Sequence, residues 1–245
     1  MNKIALLVVV AAILSGCASY RTPGSGVSIP EITSPNIAET LARKPAASWP
    51  ARIIVVRVQA PGYESYSNQG YGRGRFSVVT TRDIEQESDF QRIGRMPQVA
   101  AVGMLSRLLL PGNLGSADDL RIGAAQLQGD IVMMYTIDTA FRTETNNIGP
   151  LQTLALGYFP THKAKVTSTC SVALLDTRTG YVYGVAESTA GDDQRSNAWN
   201  EQKAIEKARA KAEREAFTGA LGEVEKLWGG IVAAQSGGGT KTAAP

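Results

Sequence analysis

Histidine and cysteine are almost missing from this sequence of 245 residues, which contains one histidine and two cysteines. A single histidine, His162, cannot build a metal site that needs several imidazoles, and no oriented partner is evident that would pair it with a nucleophile. No pair of carboxylates suited to acid–base catalysis stands out either. The sequence therefore predicts no catalytic residues, no metal site, no cofactor and a protein that is not an enzyme.

A strong excess of one charge is missing as well. The 25 lysines and arginines nearly balance the 22 aspartates and glutamates, and the formal net charge is +3. Such a chain lacks the basic surface of nucleic-acid-binding proteins, so no nucleic-acid partner is predicted. The run from Gly70 to Arg75 alternates glycine with tyrosine and arginine but lacks the Gly-Lys-Ser/Thr ending of a phosphate-binding loop. It predicts a long flexible connection, or alternatively an adaptable loop that contacts protein or glycan.

Long apolar runs are limited to the segment from Ile4 to Ile13, which follows the positively charged Lys3. This run is shorter than the roughly 20 residues that a membrane-spanning helix needs, and its layout is typical of a secretory signal. The next residues, Leu14-Ser15-Gly16-Cys17, resemble the lipobox of bacterial lipoproteins. The resemblance implies cleavage before Cys17, a diacylglycerol on its thiol and a fatty acid such as palmitate on its new amino group. The alternative is an ordinary signal peptide that ends near a cysteine.

The lipobox resemblance also carries an expectation about location. In this class of protein, an aspartate directly after the modified cysteine retains the protein at the inner membrane, and here Ala18 and Ser19 follow instead. The resemblance therefore implies a lipid-anchored protein of the outer membrane that faces the periplasm, with the bilayer as a partner through acylated Cys17. An unpaired second cysteine, Cys170, lies in an apolar stretch and is predicted to be a small buried hydrophobic residue.

Composition divides the chain into four parts. Residues 1–16 are the predicted signal peptide, and residues 17–50, rich in proline, serine and alanine, are predicted to be a lipidated cysteine and a flexible tether. Residues 51–230 are predicted to form a periplasmic domain. Residues 231–245, rich in glycine and alanine, are predicted to be a disordered tail.

Periodicity predicts an α+β domain with a mixed sheet of four or five strands, helices packed on it and one long C-terminal helix. Predicted strands cover 52–58, 76–80, 131–137, 165–175 and 181–187, and the last two are joined as a hairpin by a turn around Gly180. Helices are predicted at 116–127 and at about 198–227, with a short one possible within 84–93. The long helix has an alanine-rich apolar stripe. Its charged residues are predicted to form a solvated face with pairing at helical spacing, and they are Glu201, Lys203, Glu206, Lys207, Lys211 and Glu213. Trp228, near its end, is predicted to pack at the domain edge.

Two short segments resemble one fold family. Asp130 to Thr136 and Leu174 to Val182 are similar to the strand and hairpin motifs of the curli-secretion lipoprotein family, and related folds occur in lipoprotein activators of penicillin-binding proteins and in the amino-terminal domain of TolB. The resemblance implies a mixed sheet with packed helices. Members of these families perform different tasks, so the fold alone does not predict a function.

One apolar segment interrupts two predicted strands where a short polar connection is usual. It runs from 148 to 160 and carries the predicted partner-binding residues Leu151, Leu154, Leu156, Tyr158 and Phe159. Our hypothesis is an exposed tip that docks a partner or touches lipid, and the alternative is a lid folded over the core.

The leading functional prediction is a non-catalytic outer-membrane lipoprotein that binds or assists another component of the cell envelope. The second is an oligomeric pore or assembly subunit of the curli-secretion type, which is disfavoured because 141–165 lacks a clear pair of alternating strands of about ten residues. The third is an enzyme that acts on cell-wall material.

Overall fold

The computed structural model describes residues 24–33, 36–145, 162–196 and 201–237. Its helices are α1 (Ile29–Ile32), α2 (Ile37–Ala42), α3 (Glu87–Gly94), α4 (Ala117–Gln126) and α5 (Glu201–Gly237). Its strands are β1 (Ala51–Gln59), β2 (Arg73–Gly74), β3 (Ser77–Val79), β4 (Val99–Met104), β5 (Asn113–Leu114), β6 (Ile131–Thr145), β7 (His162–Asp176) and β8 (Val182–Ser196). The predicted α+β class with a long C-terminal helix is confirmed.

The main sheet has six strands, slightly more than predicted. Its order is β3, β1, β6, β7, β8, with β4 also paired to β1. The pairs β1–β4 and β1–β6 are parallel, and β6–β7 and β7–β8 are antiparallel. β1 is central, and eight of its nine residues are buried, as expected for a strand with neighbours on both sides and cover on both faces.

Helix α5 covers one face of this sheet. Its small residues let the helix axis approach closely, because Ala208, Ala212, Ala216 and Ala220 are fully buried. A Cβ atom built on Gly219 would lie 2.3 Å from Ser188 Oγ of β8. The predicted packing of Trp228 is also found: its indole N–H donates to the Pro97 carbonyl at 2.7 Å, and its ring lies 5.2 Å from that of Trp49.

The opposite face is covered by α4 and by the N-terminal segment. α4 begins with a capping box, in which Ser116 accepts from the Asp118 N–H and Asp119 accepts from the Ser116 N–H. Val27 and Ile32 are buried in this second core cluster. The prediction of a flexible tether throughout 17–50 is therefore wrong for residues 24–33 and 36–50. Val27 and Ile32 attach the first range to the sheet, and hydrogen bonds from Ala46 to Asp176 and from Ser48 to Asp130 attach the second.

The three strands β6, β7 and β8 are longer than predicted, with 15 residues each. β6 was expected to end at residue 137, but it continues to Thr145 in register with β7. His162 is the first residue of β7, and Asp192 and Asp193 lie in β8. Within 141–165, β6 reaches Thr145 and β7 starts at His162, and these two ends of the range are paired.

Candidate functional site

The predicted site residues fall largely outside the described part of the chain. Cys17 precedes it, and the predicted partner-binding residues lie between β6 and β7, in the range 146–161. The last described pair of this hairpin is Thr145 with His162. The β6–β7 hairpin projects beyond the core, and the apolar segment 148–160, with the predicted tip or lid, lies outside the described residues.

We call this projection the arm and define it as residues 138–145, 162–169 and 189–196, together with 201–211 of α5. Gln59 at the end of β1 donates from Nε2 to the Ile137 carbonyl at 2.9 Å, which marks the level where β1 stops and β6 continues. The remaining residues of β6 extend about 26 Å further at roughly 3.3 Å per residue. On the helix side, Val166, Phe141, Ala208 and Ala212 pack together, so α5 supports the arm.

A cluster of buried charges lies where the arm joins the core. Arg57 of β1 contacts Asp83 at 2.8 Å and Glu213 of α5 at 3.4 Å. Arg209 contacts the same two carboxylates, at 3.2 Å for Asp83 and 2.6 Å for Glu213. The Tyr135 hydroxyl donates to Glu85. Because the side chains of Arg57, Arg209 and Glu213 are only 1% exposed, this cluster is closed to substrates and joins the helix to the sheet.

Charge pairing shapes the protonation of this cluster. Burial acts to raise the pKa of Asp83, but the neighbouring guanidinium groups of Arg57 and Arg209 outweigh it and lower that pKa. Burial alone would lower the pKa of Arg57, yet Glu213 and its other partners raise it. The charged forms are therefore the ones that this part of the interior stabilises.

Cys170 lies in the same interior and is fully buried, as predicted. Burial raises the pKa of its thiol to about 12, so it is protonated at neutral pH and a poor nucleophile. Within the described ranges, no three histidine, cysteine, aspartate or glutamate residues form a group that could hold a metal ion. Asp192 instead forms an ion pair with Lys211 at 2.6 Å.

An open groove of about 540 Å³ lies between the N-terminal segment and the face of β6–β8 that α5 does not cover. Its apolar floor includes Met134, Ala173 and Val185, and Val185 is 65% exposed. Asp138 and Glu187 line its polar rim. Sequence reasoning missed this groove, because Val185 follows an ordinary strand alternation and the cover over its neighbours comes from residues more than 100 positions earlier.

The glycine-rich loop forms a second open groove, of about 780 Å³, lined by residues that include Tyr71, Arg73 and Asn113. The prediction of a flexible connection is wrong here, because the loop is packed. A Cβ atom on Gly72 would lie 2.4 Å from Leu114 Cδ1, and one on Gly70 would lie 2.6 Å from Ser77 Cβ. Glycine lets the loop approach the core, and the Arg73 N–H donates to the Gly112 carbonyl at 2.8 Å.

Comparisons with known proteins give weak similarities. No family model matches the chain, and no curated protein matches it. Among solved structures, protein XCC0632 from Xanthomonas campestris is 13% identical, with 85% of this chain and 95% of that chain covered and a TM-score of 0.35. Lipoprotein GNA1162 from Neisseria meningitidis is 12% identical, with 66% and 96% covered and a TM-score of 0.30.

A protein from Caulobacter crescentus that is described as a lipoprotein is 13% identical, with 47% of this chain and 77% of that chain covered and a TM-score of 0.28. The similar structures thus include lipoproteins. Similarity at this level establishes neither a shared fold nor a shared function, so the functional interpretation depends on the residues of this chain. No helix among the described residues is long and apolar enough to span a bilayer.

Proposed function

We propose that this chain is a non-catalytic lipoprotein of the outer membrane, anchored through acylated Cys17, whose periplasmic domain binds another protein of the cell envelope. One observation supports the binding role above the others: β6 and β7 are paired up to Thr145 and His162, and the chain that connects these two residues contains the apolar segment 148–160. A connection of this composition is unusual between two strands that are already paired. The partner contacts are assigned to Leu151, Leu154, Leu156, Tyr158 and Phe159.

The lipid anchor is tested by mass spectrometry of the membrane-extracted protein. The expected N-terminal peptide starts at Cys17 and carries diacylglycerol and an amide-linked fatty acid. Cys17→Ser is expected to release the protein from the membrane or leave its leader uncleaved. An unmodified thiol at position 17 in the wild-type protein would contradict the anchor and, with it, the envelope location.

The partner contact is tested by crosslinking in intact cells. Leu154→Ser with Leu156→Ser is expected to remove the crosslinked species without lowering the melting temperature. The matched control is Leu108→Ser with Ile122→Ser, because these side chains are 88% and 60% exposed on other surfaces. A marked loss of thermal stability in the first pair would instead mean that the segment is a lid over the core.

A second candidate is an oligomeric assembly of the curli-secretion type. It gains support from the 15-residue strands β6 and β7, which are longer than such a role requires. Against it, the exposed face of the arm carries Arg142 and Lys165, and the other face is occupied by α5. Mass determination in detergent separates the candidates, because a ring of many copies supports the assembly and a monomer or dimer supports the partner-binding module.

A further inference from the structure

The described N-terminal segment begins at the end of the domain from which the arm projects. Gly24 lies against Tyr63 and Ala60, which follow β1, and the Ser25 carbonyl accepts from the Ala60 N–H at 3.0 Å. After Gly24 the chain runs along the sheet away from the arm. The Val27 N–H donates to Thr136 Oγ1 at 3.0 Å, and the Ala46 N–H donates to Asp176 at the end of β7 at 2.6 Å. Gly24, the first described residue, therefore lies at the end of β1 from which the arm projects.

The covalent distance from Cys17 to Gly24 is short. Seven residue steps span at most about 25 Å when fully extended, at roughly 3.6 Å per residue. The arm extends about 26 Å beyond the end of β1. Acyl chains on Cys17 therefore enter a bilayer within about 25 Å of Gly24, a distance comparable with the length of the arm. A flexible tether of some thirty residues, as the sequence predicted, would not have imposed this limit.

The distal part of the arm is rich in cations that lack ion-pair partners among the described residues. Arg142 of β6 pairs in register with Lys165 of β7, and both side chains are exposed. Lys203 and Lys207 are exposed one turn apart on α5. None of these four forms an ion pair within the described chain, whereas the next lysine along the helix, Lys211, is paired with Asp192. The exposed carboxylates Asp138 and Glu187 lie at the base of the arm. Further along it the sequence also contains Glu144, Asp193 and Glu201, and Asp193 is in register with Lys165.

We propose that the distal end of the arm, through Arg142, Lys165, Lys203 and Lys207, contacts the anionic phospholipid headgroups of the membrane that holds Cys17. This inference rests on the proposed lipid anchor for its geometry. Lysine and arginine side chains near an anionic bilayer each contribute attraction that decays within a Debye length. The short tether limits how far the arm can move from the bilayer, and the cations act once they come within a Debye length of the headgroups, about 8–10 Å. The β7–β8 turn and the C-terminal half of α5 then face away from the bilayer, towards the periplasm.

The headgroup contact is tested first without the lipid anchor. The chain starting at Ala18, which retains every described residue, is floated with vesicles of phosphatidylethanolamine and phosphatidylglycerol, and with vesicles of phosphatidylcholine alone. Binding to the anionic vesicles is expected to fall with added salt. Lys203→Glu with Lys207→Glu is expected to weaken it on the order of tenfold. The control pair Lys44→Glu with Arg95→Glu makes the same charge change at the opposite end and is expected to leave binding unchanged.

Equal binding to anionic and neutral vesicles, or equal losses in the two variant pairs, would overturn the headgroup contact. Because this assay uses no acyl chain, its result is independent of the mass spectrum of Cys17, and failure of the contact is distinguishable from failure of the anchor. Circular dichroism checks that both variant pairs are folded. All four side chains are exposed, so their replacement is expected to leave the fold intact.

Orientation is then measured on the acylated protein in vesicles. A donor dye is placed on Thr167→Cys in the arm or on Arg95→Cys at the opposite end, and acceptor dyes are placed on lipid headgroups. Cys170 is buried and is expected to remain unlabelled. Energy transfer is expected to be high from position 167 and low from position 95, and the difference is expected to shrink in Lys203→Glu with Lys207→Glu. Equal transfer from both positions would contradict the orientation.

Discussion

Glu213 lies between two guanidinium groups in the interior. Its side chain is 1% exposed and accepts from Arg209 at 2.6 Å and from Arg57 at 3.4 Å. Glu213→Ala would leave two buried cations with fewer partners, and loss of one member of a buried pair typically costs about 3–5 kcal/mol. We expect a loss of that size in the free energy of unfolding measured with urea. Glu215→Ala, on the exposed side of the same turn, is the control, and a similar small effect for both would contradict the role of Glu213.

Asp176 links the N-terminal segment to the β7–β8 turn and makes stability depend on pH. It accepts from the N–H groups of Ala46, Arg178 and Thr179 and from the Tyr183 hydroxyl. Burial acts to raise its pKa, but these hydrogen bonds outweigh burial and lower the pKa below the usual value. A carboxylate with a lowered folded-state pKa contributes stability that is present above its unfolded pKa, near 4, and is lost as the pH falls through the folded pKa.

Asp176→Asn is therefore expected to reduce the dependence of stability on pH in the acid range. The asparagine retains one acceptor oxygen but no charge, so the variant is expected to be less stable than wild type at neutral pH, and the gap is expected to narrow below about pH 4. Thermal melts across a pH series measure this. A gap that is constant with pH would show that the charge of Asp176 adds nothing. The surface ion pair between Lys211 and Asp192 provides a comparison. Its contribution to stability is expected to fall with added salt more than with added acid.

Local sequence context was sufficient for some residues and not for others. Cys170 could be assigned to the interior because it sits in an apolar stretch, and Trp228 could be predicted to pack at the domain edge because it lies near the end of the long helix. Arg57 could not, because its partners are 26 and 156 residues away, and no local pattern distinguishes a buried arginine from one at the edge of a strand. In the sequence, Asp83 and Glu213, the carboxylates that stabilise Arg57, likewise looked like ordinary surface charges.

At the scale of elements, two glycines in the same loop separate backbone strain from packing. Gly62 and Gly72 have φ angles of 68° and 94°, but a Cβ on Gly62 would meet nothing within 4 Å, whereas one on Gly72 would lie 2.4 Å from Leu114 Cδ1. Gly62→Ala is expected to cost about 1 kcal/mol from the backbone conformation alone. Gly72→Ala is expected to cost about 1–3 kcal/mol more, because overpacking adds to strain.

Chemical unfolding of the two variants measures the difference. Leu114→Ala is the rescue partner, because removing the side chain that Gly72→Ala would strike is expected to make the two substitutions less than additive. Equal costs for Gly62→Ala and Gly72→Ala would contradict the close packing of this loop. Full additivity with Leu114→Ala would do the same.

The strands and helices of the core could be predicted because their apolar periodicity is strong, as in β1, α4 and α5. The outer half of β6 could not, because Asp138 to Thr145 has neither an apolar run nor a clean alternation. It is a strand because β7 pairs with it residue by residue and because α5 packs Ala208 and Ala212 against Val166. The N-terminal segment was missed for a related reason: two apolar side chains, Val27 and Ile32, attach it to the sheet, too few to form a periodic pattern.

At the scale of the whole molecule, charge that looks balanced in the composition is unevenly placed. The net charge of +3 argued correctly against a strongly basic protein but concealed the local group of Arg142, Lys165, Lys203 and Lys207. Lys203 and Lys207 were interpreted as part of a solvated helix face with paired charges. Only the register of β6 with β7 and the course of α5 bring these four cations to one end, from segments separated by up to about 60 residues.

Tether length and headgroup attraction make separable contributions to orientation, and a two-by-two design distinguishes them. A glycine–serine insertion of about 20 residues after Ser19 keeps the sorting residues and adds a random-coil span of about 25 Å. With the insertion alone, energy transfer from a donor on Thr167→Cys is expected to remain higher than from one on Arg95→Cys, because the four cations still favour the headgroups. With the insertion and Lys203→Glu plus Lys207→Glu together, the two positions are expected to become equal, because neither covalent reach nor charge then selects one end. If the insertion alone removes the difference, the short tether orients the domain unaided and the cations do not contact lipid.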